Sequence, residues 1–222
     1  MPVRLSKVDA LILANQDHYY LGPDDQCYFI GEYTARRGYK FSATNGLIYN
    51  LKKSPALRDT NQWYWKERAI ADAGRMLRDV LSIGTSIEWL RQTVLMPIPP
   101  SKVPGDPLYD DRMLRVLQEL GRGLGLDIRD LVVQRESTLA AHECTDRPSP
   151  DEIVANYYVN EECRTPPPRS IGIFDDLLTT GSHFKAAQSI LVREFPNVPI
   201  IGIFVARRVP ETDDPADQDI VG

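Results

Sequence analysis

The residues most able to do chemistry in this chain lie together, between Ile171 and His183, as I-G-I-F-D-D-L-L-T-T-G-S-H. Four mostly apolar residues lead into Asp175 and Asp176. Leu177 and Leu178 follow, and Thr179, Thr180, Gly181 and Ser182 then open a helical pattern. The pattern predicts a buried strand that carries two carboxylates and empties through a small-residue loop into a helix N-terminus. Such a loop offers backbone N–H groups, hydroxyls and the positive end of a helix dipole, which together suit a phosphate. The adjacent carboxylates suit sugar hydroxyls or a hydrated Mg2+ ion.

At these residues the chain resembles the phosphoribosyltransferase family, whose PRPP-binding signature is an apolar strand, two acids, two apolar residues and a Thr-Thr-Gly loop. The resemblance implies that Thr179, Thr180, Gly181, Ser182 and His183 surround the 5′-phosphate of phosphoribosyl pyrophosphate (PRPP). Asp175 and Asp176 would be the catalytic pair on the ribose hydroxyls. His183 stands where the family commonly has Thr or Ser, and Gly172 where it has a bulkier apolar residue. Other readings compete. A dehalogenase-type phosphatase needs acids at alternate positions, but Leu177 occupies that place, and the acid pair of a response regulator sits near the start of its domain. A plain β-α connection needs no ligand. The phosphoribosyl reading requires the acids to border a concave site and the loop to be open to a phosphate.

More narrowly, Val94-Leu95-Met96-Pro97-Ile98-Pro99 with Pro100-Ser101-Lys102 resembles the ComF-like branch. This implies that Ser101, Lys102 and Arg112 face the pyrophosphate, with Arg135 and Arg147 as clamps from a mobile loop and Asn156-Tyr157-Tyr158 as a remnant motif. The branch's Arg-Gly-Phe-Asn loop is replaced by Tyr109-Asp110-Asp111-Arg112. Phosphoribosyl transfer places positive charge on the sugar and negative charge on the leaving pyrophosphate, so it needs cations, N–H groups and Mg2+ carried by PRPP, not a protein nucleophile. The resemblance thus implies transfer to a nucleobase- or nucleotide-related acceptor. The alternative is a non-catalytic module on the same fold that senses PRPP or a nucleotide, or binds a partner, with a link to DNA processing as in ComF-like proteins.

The 222 residues suffice for a sizeable core, and the net charge of −5 gives no global attraction to nucleic acid. Cys27, Cys144 and Cys163 are far apart and odd in number, which argues against a disulfide framework and a structural zinc site and points to a reducing, cytoplasmic compartment. No apolar run approaches the ~20 residues of a membrane span.

Alternation of elements predicts an α/β fold, a parallel sheet flanked by helices of type I phosphoribosyltransferase kind. Strands are expected at Val94–Pro97, Leu131–Val133, Tyr157–Val159, Ile171–Phe174 and Pro199–Val205. Helices are expected over Leu108–Leu124, after the Ser149–Glu152 capping box, and over Phe184–Phe195. These lie in an α/β domain over 93–208, followed by an acidic tail over 209–222 that reads as disordered. Residues 1–92 stand apart as an accessory or hood module through which a homodimer or partner protein would bind. In this module Cys27–Tyr33 is strand-like, Ser42–Lys53 reads as a helix and Tyr64–Leu81 as an amphipathic helix burying Trp65, Ala69, Ala73, Leu77 and Leu81. Its Tyr and Trp residues beside Arg36-Arg37 and Lys52-Lys53 could stack on nucleobases, but core and solvated face are the expected roles, as surface is for His18 and His142.

Overall fold

The computed structural model describes residues 4–15, 17–82, 86–138 and 148–211. In chain order the strands are β1 (Ser6–Lys7), β2 (Cys27–Thr34), β3 (Val94–Pro97), β4 (Asp127–Ile128), β5 (Val132–Gln134), β6 (Tyr157–Val159), β7 (Ile171–Leu178) and β8 (Ile200–Val209). The helices are α1 (Ala10–Ala14), α2 (Ala43–Leu51), α3 (Trp63–Leu81), α4 (Ser86–Gln92), α5 (Arg112–Gly121), α6 (Pro150–Asn156) and α7 (Ser182–Glu194). Six strands form one sheet in the order β1-β2-β8-β7-β3-β4, parallel except for β1. The fold is thus α/β, with a mostly parallel sheet flanked by helices and compatible with a Rossmann-like arrangement.

Strands buried on both faces read as continuous apolar runs, and this explains the I-G-I-F of β7. One face packs Ile171, Ile173 and Leu178 against Phe184, Ala187 and Leu191 of α7. The other packs Phe174, Ile203 and Val205 with Ile48 of α2, Leu77 of α3 and Leu117 of α5. Gly172 has a packing reason: a Cβ there would meet Phe174 at 3.0 Å and the Trp89 ring at 3.1 Å.

The structure departs from expectation in three places. The boundary near residue 92 is crossed by the sheet itself, since β2 pairs in parallel with β8 from Cys27↔Gly202 to Thr34↔Val209. The first third of the chain therefore completes the fold, because β8 would otherwise leave an edge of unpaired N–H and C=O groups. β5 and β6 do not join the main sheet; they pair with each other, antiparallel. The helix expected from Leu108 starts only at Arg112. The capping box at Ser149 and Glu152 is formed, and Ser42 caps α2 through the Asn45 N–H. Val209 belongs to β8, and residues 212–222 of the expected tail lie outside the described residues.

The helical layer closes most tightly where α3 crosses α5. A Cβ on Gly74 would sit 2.4 Å from Glu119 Cβ and 3.0 Å from the Val116 carbonyl oxygen. Gly74→Val should therefore lower the urea-unfolding free energy by about 1–3 kcal/mol through overpacking. Gly38→Ala, where an added Cβ meets nothing within 4 Å, should leave it nearly unchanged. Equal midpoints for the two variants would contradict the close approach.

Candidate functional site

Adjacent residues in a strand point to opposite faces, so the Asp175-Asp176 pair splits its chemistry between the two layers. The ladder with β8 runs through Asp175 and resumes at Leu177, while the Asp176 N–H is taken by Asp175 Oδ1 at 2.7 Å. Asp176 is 2 % exposed, within the α2–α3–α5 layer. Burial opposes its charge, but two cations overcome that. Arg112 Nε donates to Oδ2 at 2.8 Å, and Lys52 Nζ lies 3.2 Å from Oδ1. They hold the carboxyl well below the usual carboxylate range. Asp175 is pushed up to about 7, first by burial and then by the charge of Asp176. On its side stands Tyr157, whose hydroxyl is raised by burial and by Asp175 and lies 3.0 Å from His183 Nδ1.

The cations are themselves anchored. Arg112 Nη1 donates to Asp110 Oδ2 at 2.8 Å, and the same oxygen accepts from Lys66 Nζ at 2.7 Å. Lys66 has no exposed surface, and it also donates to the carbonyl oxygens of Leu51 and Lys53 at 2.7 and 2.8 Å. Its pKa is lowered by burial, against the pull of Asp110. The result is a continuous chain of charges, Lys66–Asp110–Arg112–Asp176–Lys52. Sequence reasoning selected Arg112 and Asp176 but missed Lys52, Lys66 and the structural role of Asp110.

The loop leaves β7 and turns at Gly181, whose φ of +88° is left-handed backbone that glycine accepts without strain. Ser182 then opens α7, with its N–H bonded to Thr180 Oγ1 at 3.4 Å. The N–H groups of a first helical turn have no intrahelical acceptor, so the physical elements of a phosphate cradle are in place. The cradle is not open, however. Thr180, Gly181 and Ser182 are buried beneath a strap from the N-terminal segment. Tyr20 N–H donates to the Thr180 carbonyl at 3.1 Å, and the Leu21 side chain lies where a Cβ on Gly181 would be.

His18 of this strap, expected at the surface, is 1 % exposed and bonds the Thr179 carbonyl through Nδ1. Burial lowers its pKa, and a carbonyl only accepts, so the ring is neutral with its proton on Nδ1. Nε2 is therefore an acceptor, and it is buried without a hydrogen-bond partner among the described residues, as is Asp17 Oδ2. Farther along, Lys185 Nζ of α7 holds Asp25 at 2.8 and 3.0 Å.

The pyrophosphate candidates are placed unevenly. Ile98 N–H donates to the Phe174 carbonyl, which sets the Pro99–Lys102 turn beside the acids. Ser101 and Lys102 are tied to Thr138, through its N–H to the Ser101 carbonyl at 2.7 Å and from Lys102 Nζ to the Thr138 carbonyl at 2.8 Å. Arg135 is exposed, over the Tyr158 ring at 4.9 Å, and has none of the contacts that join Arg112 to the acids. Its backbone N–H and that of Glu136 bond Asn156, which gives that residue a role as staple. Arg147, His142 and Cys144 lie outside the described residues. Cavities of about 290 Å³, between Tyr157 and Arg193, and about 20 Å³, between Ile98 and Asp110, flank the sheet. Neither is lined by Asp175, Asp176 or the loop. Among the described residues no helix is long and apolar enough to cross a membrane.

Removing one partner of a buried ion pair strands the other, so Lys66→Met should cost about 3–5 kcal/mol in chemical unfolding. Arg115→Ala, at the half-exposed pair with Glu67, should cost no more than about 1 kcal/mol. Asp175 titrates higher when folded than its ordinary 3.8, so the folded state keeps a proton that the unfolded chain releases. Its stabilisation is complete below about pH 4 and is lost as pH rises towards 7. Asp176 works the other way, contributing above its ordinary value and losing that contribution as pH falls below it. Asp175→Asn should accordingly flatten the slope of Tm against pH between about pH 4 and 7; an unaltered slope would refute the assignment. No protein-family model and no curated protein matches the chain.

Proposed function

We propose that this chain is a type I phosphoribosyltransferase-like protein. On this reading it binds PRPP with Mg2+ at the β7–α7 junction and transfers phosphoribose to a nucleobase- or nucleotide-related acceptor, releasing pyrophosphate. The observation that carries the reading is one continuous piece of backbone. Two adjacent carboxylates in a central parallel strand are followed, within six residues, by a left-handed Gly181 opening α7 at the C-terminal edge of the sheet. Ligands of open α/β sheets bind at that edge.

In this mechanism the first-turn N–H groups with Thr180 and Ser182 hold the 5′-phosphate, and Asp175 meets the ribose hydroxyls. The open loop beside a concave site that this reading requires is not present in this arrangement, since Thr180, Gly181 and Ser182 are buried and neither cavity is lined by the acids. The reading therefore needs the strap at His18–Leu21 to lift or reseat, and His18 Nε2, without a partner among the described residues, gives it an acceptor for a ligand hydroxyl. Arg112 and Lys52, now on Asp176, are the cations nearest to hand for a pyrophosphate. Exchanging them would release Asp176 to the ribose. The carboxylate oxygens suit a hydrated Mg2+ held chiefly by the ligand; when bound, the ion supplies charge neutralisation on the leaving pyrophosphate.

A second reading, binding without turnover, is favoured by one feature: both Asp176 oxygens already face cations, and Asp110 occupies Arg112 from the other side. Titration calorimetry of PRPP with and without Mg2+ tests the shared claim. Mg2+-dependent binding is expected, weakened about ten- to a hundredfold in Asp175→Asn/Asp176→Asn as charge-assisted hydrogen bonds are lost. No heat at about millimolar PRPP, or equal affinity in the variant, would overturn both readings. Pyrophosphate release stimulated by a pool of nucleobases would select the enzyme, and saturable binding without release the sensor.

A further inference from the structure

From Arg36 to Arg58 the chain carries six cations and no carboxylate. The rest holds 20 Lys and Arg against 31 Asp and Glu, so the overall net charge of −5 hides a strongly basic segment. The same segment exposes aromatic rings that were expected in the core. Tyr39 and Tyr49 are each about half exposed and stack on one another, centroids 5.2 Å apart at 28°. Cations lie over the rings: Lys40 Nζ is 5.8 Å from the Tyr39 centroid and Lys53 Nζ 4.6 Å from that of Tyr49. Lys53 also reaches Gln62 at 3.3 Å, and the next residue, Trp63, has the Arg58 guanidinium 5.6 Å from its ring centroid. The contacts thus run from the β2–α2 connection to Gln62, and Trp63, partly buried with Lys66 Nζ 5.6 Å from its ring centroid, follows it in the chain at the start of α3.

We infer that this band binds single-stranded nucleic acid, with bases stacked on Tyr39, Tyr49 and Trp63 and the backbone phosphates met by Lys40, Lys53 and Arg58. A strand of unpaired bases offers π-faces and phosphates at alternating positions, which is the pattern the band presents. An exposed cation–π contact is weaker than base–aromatic stacking, so a base can take the ring while the displaced lysine turns to a phosphate. A duplex would use the charges but keep its bases from the rings. An acidic polypeptide would likewise leave the stacked tyrosines without a role. The band borders the charged cluster, because Lys52, next to Lys53, pairs with Asp176, and Arg58 donates to the Tyr109 carbonyl at 3.0 Å. The inference is independent of the phosphoribosyl reading, since none of the six residues belongs to the β7–α7 loop.

The test is fluorescence anisotropy of a 3′-labelled oligo-deoxythymidine of about 20 residues with a 5′-hydroxyl, so that no terminal phosphate reports on the loop. Binding should weaken with salt, and the single strand should bind more tightly than a duplex of equal length. Tyr39→Ala/Tyr49→Ala, which changes no charge, should weaken it at least about tenfold. Lys40→Gln/Lys53→Gln should reduce the slope of log affinity against log salt by about 1.4, the value for two phosphate contacts on a single strand. Near-native circular dichroism and Tm in both variants would show that these half-exposed substitutions leave the fold intact. Absence of binding at low salt, equal affinity in the tyrosine variant, or displacement of the oligonucleotide by polyglutamate at matched charge would overturn the proposal.

Discussion

A carboxylate lies almost fully buried in the middle of β7, on the face that otherwise packs Phe174, Ile203 and Leu117. Left alone in such surroundings it would cost several kcal/mol, or would take up a proton. The protein instead brings Lys52 from the end of α2 and Arg112 from the first turn of α5 to its two oxygens. Each cation brings its own demand for a partner. Arg112 is met by Asp110, Asp110 by Lys66, and Lys66 by the last carbonyls of α2 and the residues beyond it. A helix leaves its final carbonyls without intrahelical donors, and an ammonium with three protons can satisfy that of Leu51 and the Lys53 carbonyl beyond the helix while holding Asp110. One acid in a strand thereby fixes how α2, α3 and α5 meet.

Asp175 faces the opposite layer and obeys a different logic. With both nearby cations drawn to Asp176, it is left near Tyr157 in surroundings that favour its neutral form. Two carboxylates with the same local sequence thus acquire opposite tendencies from environment alone. The N-terminal strap belongs to the same end of the sheet, where His18 and Tyr20 bond the carbonyls of the loop. These contacts leave Asp17 Oδ2 and His18 Nε2 without partners among the described residues, and each such atom costs about 1–3 kcal/mol. The strap is therefore among the less firmly held of the buried contacts around β7.

Much of this was legible from the chain, and the failures have physical causes. The apolar run before Asp175 and the capping box at Ser149 are local signals, and the structure forms both. Membership of β2 in the sheet was missed because strand pairing across 175 residues leaves no periodic trace in either partner. Of the expected α3 stripe, Ala69, Ala73, Leu77 and Leu81 are buried, and Trp65 at its N-terminal end is not. The buried face also takes in Lys66, Ile70 and Gly74, so that Lys66, Ile70, Ala73 and Leu77 recur at i, i+4, i+7 and i+11, while Trp65 is 48 % exposed. A lysine in phase with that apolar stripe was the available sign that Lys66 is buried and must be paired. His18 gave no comparable sign, since its burial depends on a loop far along the chain.

Charge balance around the acids bears on how the proposed ligand would be received. With Asp175 neutral, two carboxylates stand against three cations in the cluster, an excess of one positive charge; with Asp175 ionised the cluster is neutral. A phosphorylated sugar carries several negative charges, so the protein's own groups match only a fraction of them. The remainder must be met by helix N–H groups at the loop and by metal carried with the ligand. This argues that Mg2+ belongs to the binding step and not only to bond breaking. Bringing an anion beside Asp175 also favours its protonated form, because a like charge disfavours ionisation. Protonated Asp175 can donate as well as accept a hydrogen bond, which suits a sugar hydroxyl pair better than two bare carboxylates would.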